Sequence, residues 1–523
     1  MWFAVAVSSG CGALRGGRFR WSAVLVAALL TWGLLGSAAD AAPAAPSPST
    51  GVGPTGTSLM HGDLWSTDST PFPGPGRGAR LAASSVPGGA CAATFIGHDG
   101  LPVSLCTQFV GTAATNRPAR SAPGAGSNRP ARSAPGAGSN RPARSAPGAG
   151  PPSVAVPTVT LFDPATAAPL ARLQLAKGGL LGGVYGYLDD RDRVVVADGS
   201  GAILRVAHRK TARGWQVYVA DRIDVAKHIP AGDAITGLAP DFSGRVWFAT
   251  THGVVGTVDK ARNVRSMHLP RGEELGNGLS IRADGASVLT THALYEMRAN
   301  ANGVPRVVWR RAYDRGTARM PGQLTWGSGT TPTYFGPGGD GWVAIVDNAR
   351  RPQLIVYDSD TGSTVCRMPA FDRSGQGTEN SPMAWGDSLV IPSTYGYQYP
   401  PMAVTGPSVP ANAPFVGGST RIDVSAQGCR RIWENNDRIA TLPHLSRADG
   451  LIHALGYGPY VPGAVQQLGP VDYVATDFAT GRRVRTLKVG DAPIDEPLEL
   501  TGTIARDGTM WQATLGRMLK IAR

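Results

Sequence analysis

The chain has 523 residues, with 69 Gly, 42 Pro, 17% charged residues and a formal net charge of +13. Short Val/Ile/Leu/Trp/Tyr runs between turn residues in so charge-poor a chain exclude coiled coils and favour many short strands. Residues 1–41 carry a net +2 and an Arg-rich repeat carries +6, so only +5 remains elsewhere; that excludes a phosphate-binding stripe, and no nucleic-acid partner is expected.

The N-terminus reads as a secretory signal peptide over 1–41. Arg15, Arg18 and Arg20 precede an uncharged stretch from Trp21 to Gly36, and Ala39-Asp40-Ala41 supplies an A-x-A cleavage site. An uncleaved membrane anchor is the alternative, since the apolar run approaches the ~18 residues that can span. After cleavage no other segment could cross a membrane. Residues 42–78, rich in Pro, Ser, Thr and Gly, are expected to form a disordered linker.

Four cysteines remain beyond the signal, Cys91, Cys106, Cys366 and Cys429. An even number in an exported chain points to disulfides, with three possible connectivities. No CxxC pair supports a zinc site. Between 111 and 153 lies a basic insertion in which a dodecapeptide, first read as Asn116-Arg117-Pro118-Ala119-Arg120-Ser121, recurs from Asn128 and Asn140. It holds no apolar side chain larger than Ala or Pro, so it is expected to be disordered.

Beyond 153 a degenerate period appears. One unit is a strand, a tight Asp/Gly turn and a second strand, as in Val356-Tyr357-Asp358-Ser359-Asp360-Thr361-Gly362 and Ala475-Thr476-Asp477-Phe478-Ala479-Thr480-Gly481. The Asp and Thr side chains cap the turn while Gly takes positive φ. A second hairpin precedes most of these, as at Asp284-Gly285, Asp449-Gly450 and Asp507-Gly508. Two hairpins per period make four antiparallel strands, and such units in series close into a β-propeller.

The fold expected for 79–523 is therefore all-β, a seven- or eight-bladed propeller of four-stranded antiparallel blades. Thr94–Gln108 would supply the first hairpin of the first blade. The C-terminal strands either close that blade or form an eighth with residues near Arg80, and eight is preferred. In this register Cys91 and Cys106 flank one hairpin turn, while Cys366 and Cys429 follow equivalent turns in neighbouring blades. The pairs expected are Cys91–Cys106 and Cys366–Cys429.

The D-x-x-T-G units at Asp358 and Asp477 resemble repeats of quinoprotein-dehydrogenase-like propellers. Asn277-Gly278-Leu279-Ser280-Ile281-Arg282-Ala283-Asp284-Gly285 resembles a motif of gluconolactonase and strictosidine-synthase-like propellers. The second resemblance implies a divalent-metal ligand at Asn277. That family's usual Asp about fifteen residues later is replaced here by His292. The adjacent cysteines common in quinone-dependent alcohol dehydrogenases are absent.

Residues at the starts of the innermost strands meet at a propeller's axis. Aligning the turns places Thr236, Asn277, Asn380 and Thr501 there, with His444 slightly displaced and Glu379 as the carboxylate of the set. Asn277 and Glu379 could hold one divalent metal ion and its water. Tyr395, Tyr397 and Tyr399, with Tyr457 and Tyr460, form a second candidate, read as exposed loop aromatics that could stack on a ligand. Pro400–Gly418 follows as a lid or partner surface. No G-x-S-x-G, P-loop, H-E-x-x-H or G-x-G-x-x-G motif is present. Two functions stay open: an extracytoplasmic binding or scaffold protein, with a cell-envelope polymer or a protein as partner, and a metal-dependent lactonase-like hydrolase using Glu379, Asn277, Asn380 and His444.

Overall fold

The computed structural model describes residues 51–111, 153–177, 185–373, 375–464 and 466–523. The signal peptide, the linker up to residue 50 and the dodecapeptide repeats lie outside the described residues. Within them the regular secondary structure is almost wholly strand, arranged in eight radial blades. The innermost strands are Gly89–Ile96, Gly186–Leu188, Ile235–Pro240, Leu279–Arg282, Thr333–Phe335, Met383–Trp385, His444–Ser446 and Thr503–Ile504. We number blades 1 to 8 in that order.

Blade 8 settles the count. Its inner three strands come from the C-terminus, and its outermost strand is Arg80–Ser85, paired antiparallel with Met518–Ala522. The ring is thus closed by backbone hydrogen bonds between the two ends of the propeller segment, which leaves no seam to open. In blade 1 the strands Pro102–Gly111 and Ser153–Phe162 pair to their ends, Gly111 opposite Ser153.

Eight apolar clusters fill the eight spaces between neighbouring blades. The D-x-x-T-G turns fasten these spaces from outside. Asp358 Oδ1 accepts from Thr361 N and Oγ1, both at 2.8 Å, and Gly362 takes φ 67°. The turn lies on Trp309 of the preceding blade, whose indole N–H donates to Ser359 O at 3.0 Å. A Cβ at Gly362 would stand 2.7 Å from that indole. Asp477 and Gly481 repeat the arrangement on Trp433, with an indole bond of 2.9 Å to Phe478 O. Two disulfides add covalent ties. Cys91–Cys106 joins the first two strands of blade 1, and Cys366–Cys429 links the outer strands of blades 5 and 6.

One expectation is corrected. The linker read over 42–78 is ordered from residue 51 onward, because this segment is a strap that threads the hub. Inner strands expose a row of N–H groups toward the axis that no ninth strand can pair. The strap's carbonyls accept them: Thr57 from Ile96, Ser58 from Leu188, Leu64 from Ile281, Trp65 from Tyr334, Thr67 from Ala384, and Asp68 from Leu445, all between 2.7 and 3.0 Å. Six blades are bonded by this one segment, and Ser69–Thr70 runs parallel to His444–Ser446. Its own turn is held by Asp63, whose carboxylate accepts from Trp65 N, Thr67 N and Thr67 Oγ1, and by a 2.9 Å contact between His61 Nδ1 and Asp68 Oδ1.

Two outcomes are expected. Trp65, packed between blades 4 and 5 and 7% exposed, should cost about 3 kcal/mol on replacement by Ala, measured by denaturant unfolding. Removing Cys366–Cys429, which closes a 63-residue separation, should cost about 4 kcal/mol. Removing Cys91–Cys106, separated by 15 residues, should cost about 3; paired Ser variants compared by unfolding would check the order.

Candidate axial binding site

At the face where the inner strands begin, the hub opens into a cavity of about 390 Å³. Its residues come from the loops entering those strands: Tyr185 in blade 2, Asn277 in blade 4, Thr331 in blade 5, Glu379 and Asn380 in blade 6, and Glu499 in blade 8. Met60 and His61 of the strap also line it. Leu324, Leu442, Leu500 and Leu515 make much of the remaining wall, and Met402, 69% exposed, lies at the rim.

Local turns aim the polar groups. Thr378 Oγ1 donates to Asn380 O and accepts from Asn380 N, each at 2.9 Å, and Glu379 N donates to Thr394 Oγ1 at 2.8 Å. Glu379 Oε2 accepts from Leu324 N at 3.1 Å. Gly329 leaves room for this carboxyl, since a Cβ there would stand 2.1 Å from Oε2. Asn277 Nδ2 donates to Gly329 O at 2.5 Å, and its Oδ1 accepts from Tyr185 OH at 3.5 Å.

Glu499 is the residue that the sequence reading missed. It lies four positions before its inner strand, as Glu379 lies four before its own. Equal register places the two carboxyls at equivalent points of blades 6 and 8. Leu498 and Glu499 take φ 55° and 53°, a left-handed backbone that costs a non-glycine residue about 1 kcal/mol or more. The bonds Leu498 N to Glu496 Oε1, at 3.3 Å, and Glu499 N to Ala440 O, at 3.0 Å, hold it there. Asn380 Nδ2 donates to Glu499 Oε2 at 2.8 Å and so joins the two blades.

Both carboxyls are short of partners. Glu379 Oε1 and Glu499 Oε1 are buried and accept no hydrogen bond among the described residues. Burial is the main cause that pushes Glu499 up to about 8 and Glu379 well above the ordinary carboxylate range, against the Leu324 amide and Arg319 for Glu379 and the Asn380 amide for Glu499. Burial likewise raises Tyr185 to about 12.

The remaining expected residues divide. Asn277, Glu379 and Asn380 do meet at the cavity. His444 is not in its lining: it is 4% exposed, 3.4 Å from Thr501 Oγ1, and pushed down to about 4 by burial and by His453 and His61. His292 also stands elsewhere, against Thr291 and Arg315. Among the described residues no three His, Cys, Asp or Glu side chains gather to hold a metal.

The exposed tyrosine cluster is corrected. Tyr397 and Tyr457 are each only 2% exposed, and both hydroxyls donate to the buried Glu496. They brace the loop that carries Glu499 rather than offering rings to solvent. Tyr399 turns out to line the axial cavity, with Pro400 and Met402 beside it. Tyr395 is half-buried near Gly375, and Tyr460 belongs to an outer groove on blade 7.

With this geometry the chain is an eight-bladed β-propeller. The quinohemoprotein alcohol dehydrogenase of Comamonas testosteroni is similar at TM-score 0.52 and 10% identity, over 90% of this chain and 81% of that one. A europium-containing methanol dehydrogenase matches at 0.47 and 11%, over 89% and 98%. BamB of Moraxella catarrhalis matches at 0.35 and 15%, over 64% and 94%. At 10% identity the likeness to the first of these shows the fold alone. By sequence, an uncharacterized protein of Archaeoglobus fulgidus is 24% identical over 318 residues, covering 54% of this chain and 60% of the relative. No protein-family profile matches the chain.

A pH dependence follows from the raised carboxyls. An acid whose folded value lies above its unfolded one binds more protons when folded, so its contribution to stability falls as pH rises between the two. For Glu499 that window runs from about 4.5 to about 8. Glu499→Gln should therefore melt above the native chain at pH 8 and approach it at pH 5; a gap that widens toward low pH would contradict the assignment.

Proposed function

We propose that this protein is an extracytoplasmic binding propeller that takes a small molecule in its axial cavity. The observation that carries the reading is the cavity itself: about 390 Å³, floored by the chain's own strap, apolar in its walls and furnished with a few converging polar groups. Small-molecule sites have this size and this mixture. Export is supported by the signal-like N-terminus, by the two disulfides and by the absence, among the described residues, of any helix long and apolar enough to cross a membrane.

A binding role fits the chemistry better than catalysis. The lining offers hydrogen-bond acceptors and apolar area; its hydroxyl beside an imidazole, Thr331 Oγ1 at 3.2 Å from His61 Nε2, is only 1% exposed, and His444, a candidate for the lactonase-like site, stands outside the lining. The basic dodecapeptide region and the outer faces would then be free to meet a cell-envelope polymer or a protein partner, with the cavity as the specific site.

Ligand-observed NMR with a library of small soluble fragments tests this directly. Hits are expected to compete with one another for a single site and to disappear in Leu324→Trp, which fills the cavity, while the variant keeps the native circular dichroism spectrum. Hits that persist in a folded Leu324→Trp would place binding elsewhere and end the proposal.

A further inference from the structure

The axial cavity contains a charge that the protein leaves unbalanced. Glu379 and Glu499 contribute two carboxyls, and Arg319 is the one cation with electrostatic influence on Glu379. Arg319 is already committed: Nη1 donates to Gln323 O at 2.7 Å, while Nε and Nη2 donate to Gly406 O at 3.2 and 3.0 Å. When ionised, the two carboxyls and Arg319 sum to one negative charge, and Glu496 beside Glu499 adds to that excess.

Hydrogen bonding shows the same deficit. Every hydrogen bond the structure gives the two carboxyl groups comes from a donor, the Leu324 amide on Glu379 and the Asn380 side-chain amide on Glu499. That is the environment of a carboxylate acceptor. Each group nonetheless retains a buried oxygen with nothing to accept among the described residues. Glu379 is 9% exposed and lines the cavity, so its carboxyl borders the space a ligand would occupy. An unpaired buried acceptor is costly, and the left-handed backbone at Glu499 adds strain.

Resting on the cavity reading above, we infer that the ligand is an organic monocation, an ammonium group on an apolar body. Its N–H groups supply the donors that Glu379 Oε1 and Glu499 Oε1 lack, and its positive charge offsets the excess of carboxylate. Tyr185 and Tyr399 line the same cavity and offer aromatic surface of the type that attracts ammonium groups. The hydrocarbon part fits the Met60, Leu324, Leu442, Leu500 and Leu515 walls, which a bare, strongly hydrated divalent ion would leave unused.

Binding should also release protons. Burial keeps the two carboxyls protonated to higher pH than usual, and an adjacent cation restores the ionised form. The titratable and charged groups facing the pair are Arg319 behind Glu379, Glu496 behind Glu499, His61 of the strap with Asp68 on its far side, and Tyr185 and Tyr399 across the cavity. Burial raises both tyrosines, and proton release that disappears in Glu379→Gln and Glu499→Gln traces the proton to the carboxyls.

The test is calorimetry at pH 7.5 on the full folded chain, in two buffers of different ionisation enthalpy. The probes are alkyl- and arylammonium salts of graded size, each beside its neutral alcohol of matching shape, with CaCl₂ as a further titrant. Ammonium probes are expected to bind at least tenfold tighter than their alcohols and to release protons. Glu379→Gln and Glu499→Gln should each weaken the ammonium at least tenfold and leave alcohol binding nearly unchanged. Alcohols that bind as tightly as the ammonium probes, with both lost in Leu324→Trp, would overturn the cation while preserving the cavity. Binding by CaCl₂ with none by ammonium probes would overturn it in favour of a metal. No binding by any probe or NMR fragment would remove both readings. Should one Gln variant fail to fold, the other and the alcohol comparison still decide.

Discussion

The structure depends on what happens to the inward-facing edge of the innermost strands. Eight strands around a hub are too far apart to hydrogen-bond across it, so each presents N–H groups to the axis with no strand to receive them. In this protein the segment from residue 51 receives them, lending carbonyls to six blades in turn. The strap converts a polar shaft into a closed floor. A cavity can then exist above that floor instead of an open channel, and residues from distant stretches share one small volume.

Closure of the ring has a related origin. Arg80–Ser85 completes the last blade, so the strap and the outer strand are consecutive pieces of one N-terminal excursion. The chain first crosses the hub, then runs to the outer edge of blade 8, and only afterwards builds blades 1 to 8 in order. Tying both the hub and the seam to one segment makes the ring's integrity depend on that segment. The outer Trp-on-turn contacts and the Cys366–Cys429 disulfide tie neighbouring blades together through their outer strands.

The cavity gathers several energetically costly groups in one place. Two carboxyls with free oxygens, a left-handed Leu-Glu pair and a glycine that must stay small to admit Glu379 all lie within it. Glu496 shows the contrast. It is buried as deeply nearby, yet Tyr397 and Tyr457 satisfy both of its oxygens. A structural carboxyl has been given its partners, whereas the two at the axis have been left to find theirs.

Much of the architecture was legible in the residues. Hairpin turns signal themselves locally, because Asp, Thr and Gly at fixed spacing satisfy a turn wherever it occurs, and repetition of such turns implies blades. The same register gave both disulfides and placed Asn277, Glu379 and Asn380 at the axis. The strap could not be seen this way. Its Pro, Ser, Thr and Gly composition resembles that of a linker, and it is ordered by carbonyl bonds to six separate blades, which leave no periodic mark in sequence. Glu499 was hidden because its strand is only two residues long and its loop carries no repeat signature. Tyr397 and Tyr457 were misplaced for the opposite reason: their Gly/Pro surroundings suggest exposure, but burial follows from Glu496, a long-range partner. Local backbone chemistry is therefore written in the chain itself, while which oxygen goes unpaired is decided only when the ring closes and distant loops share one space.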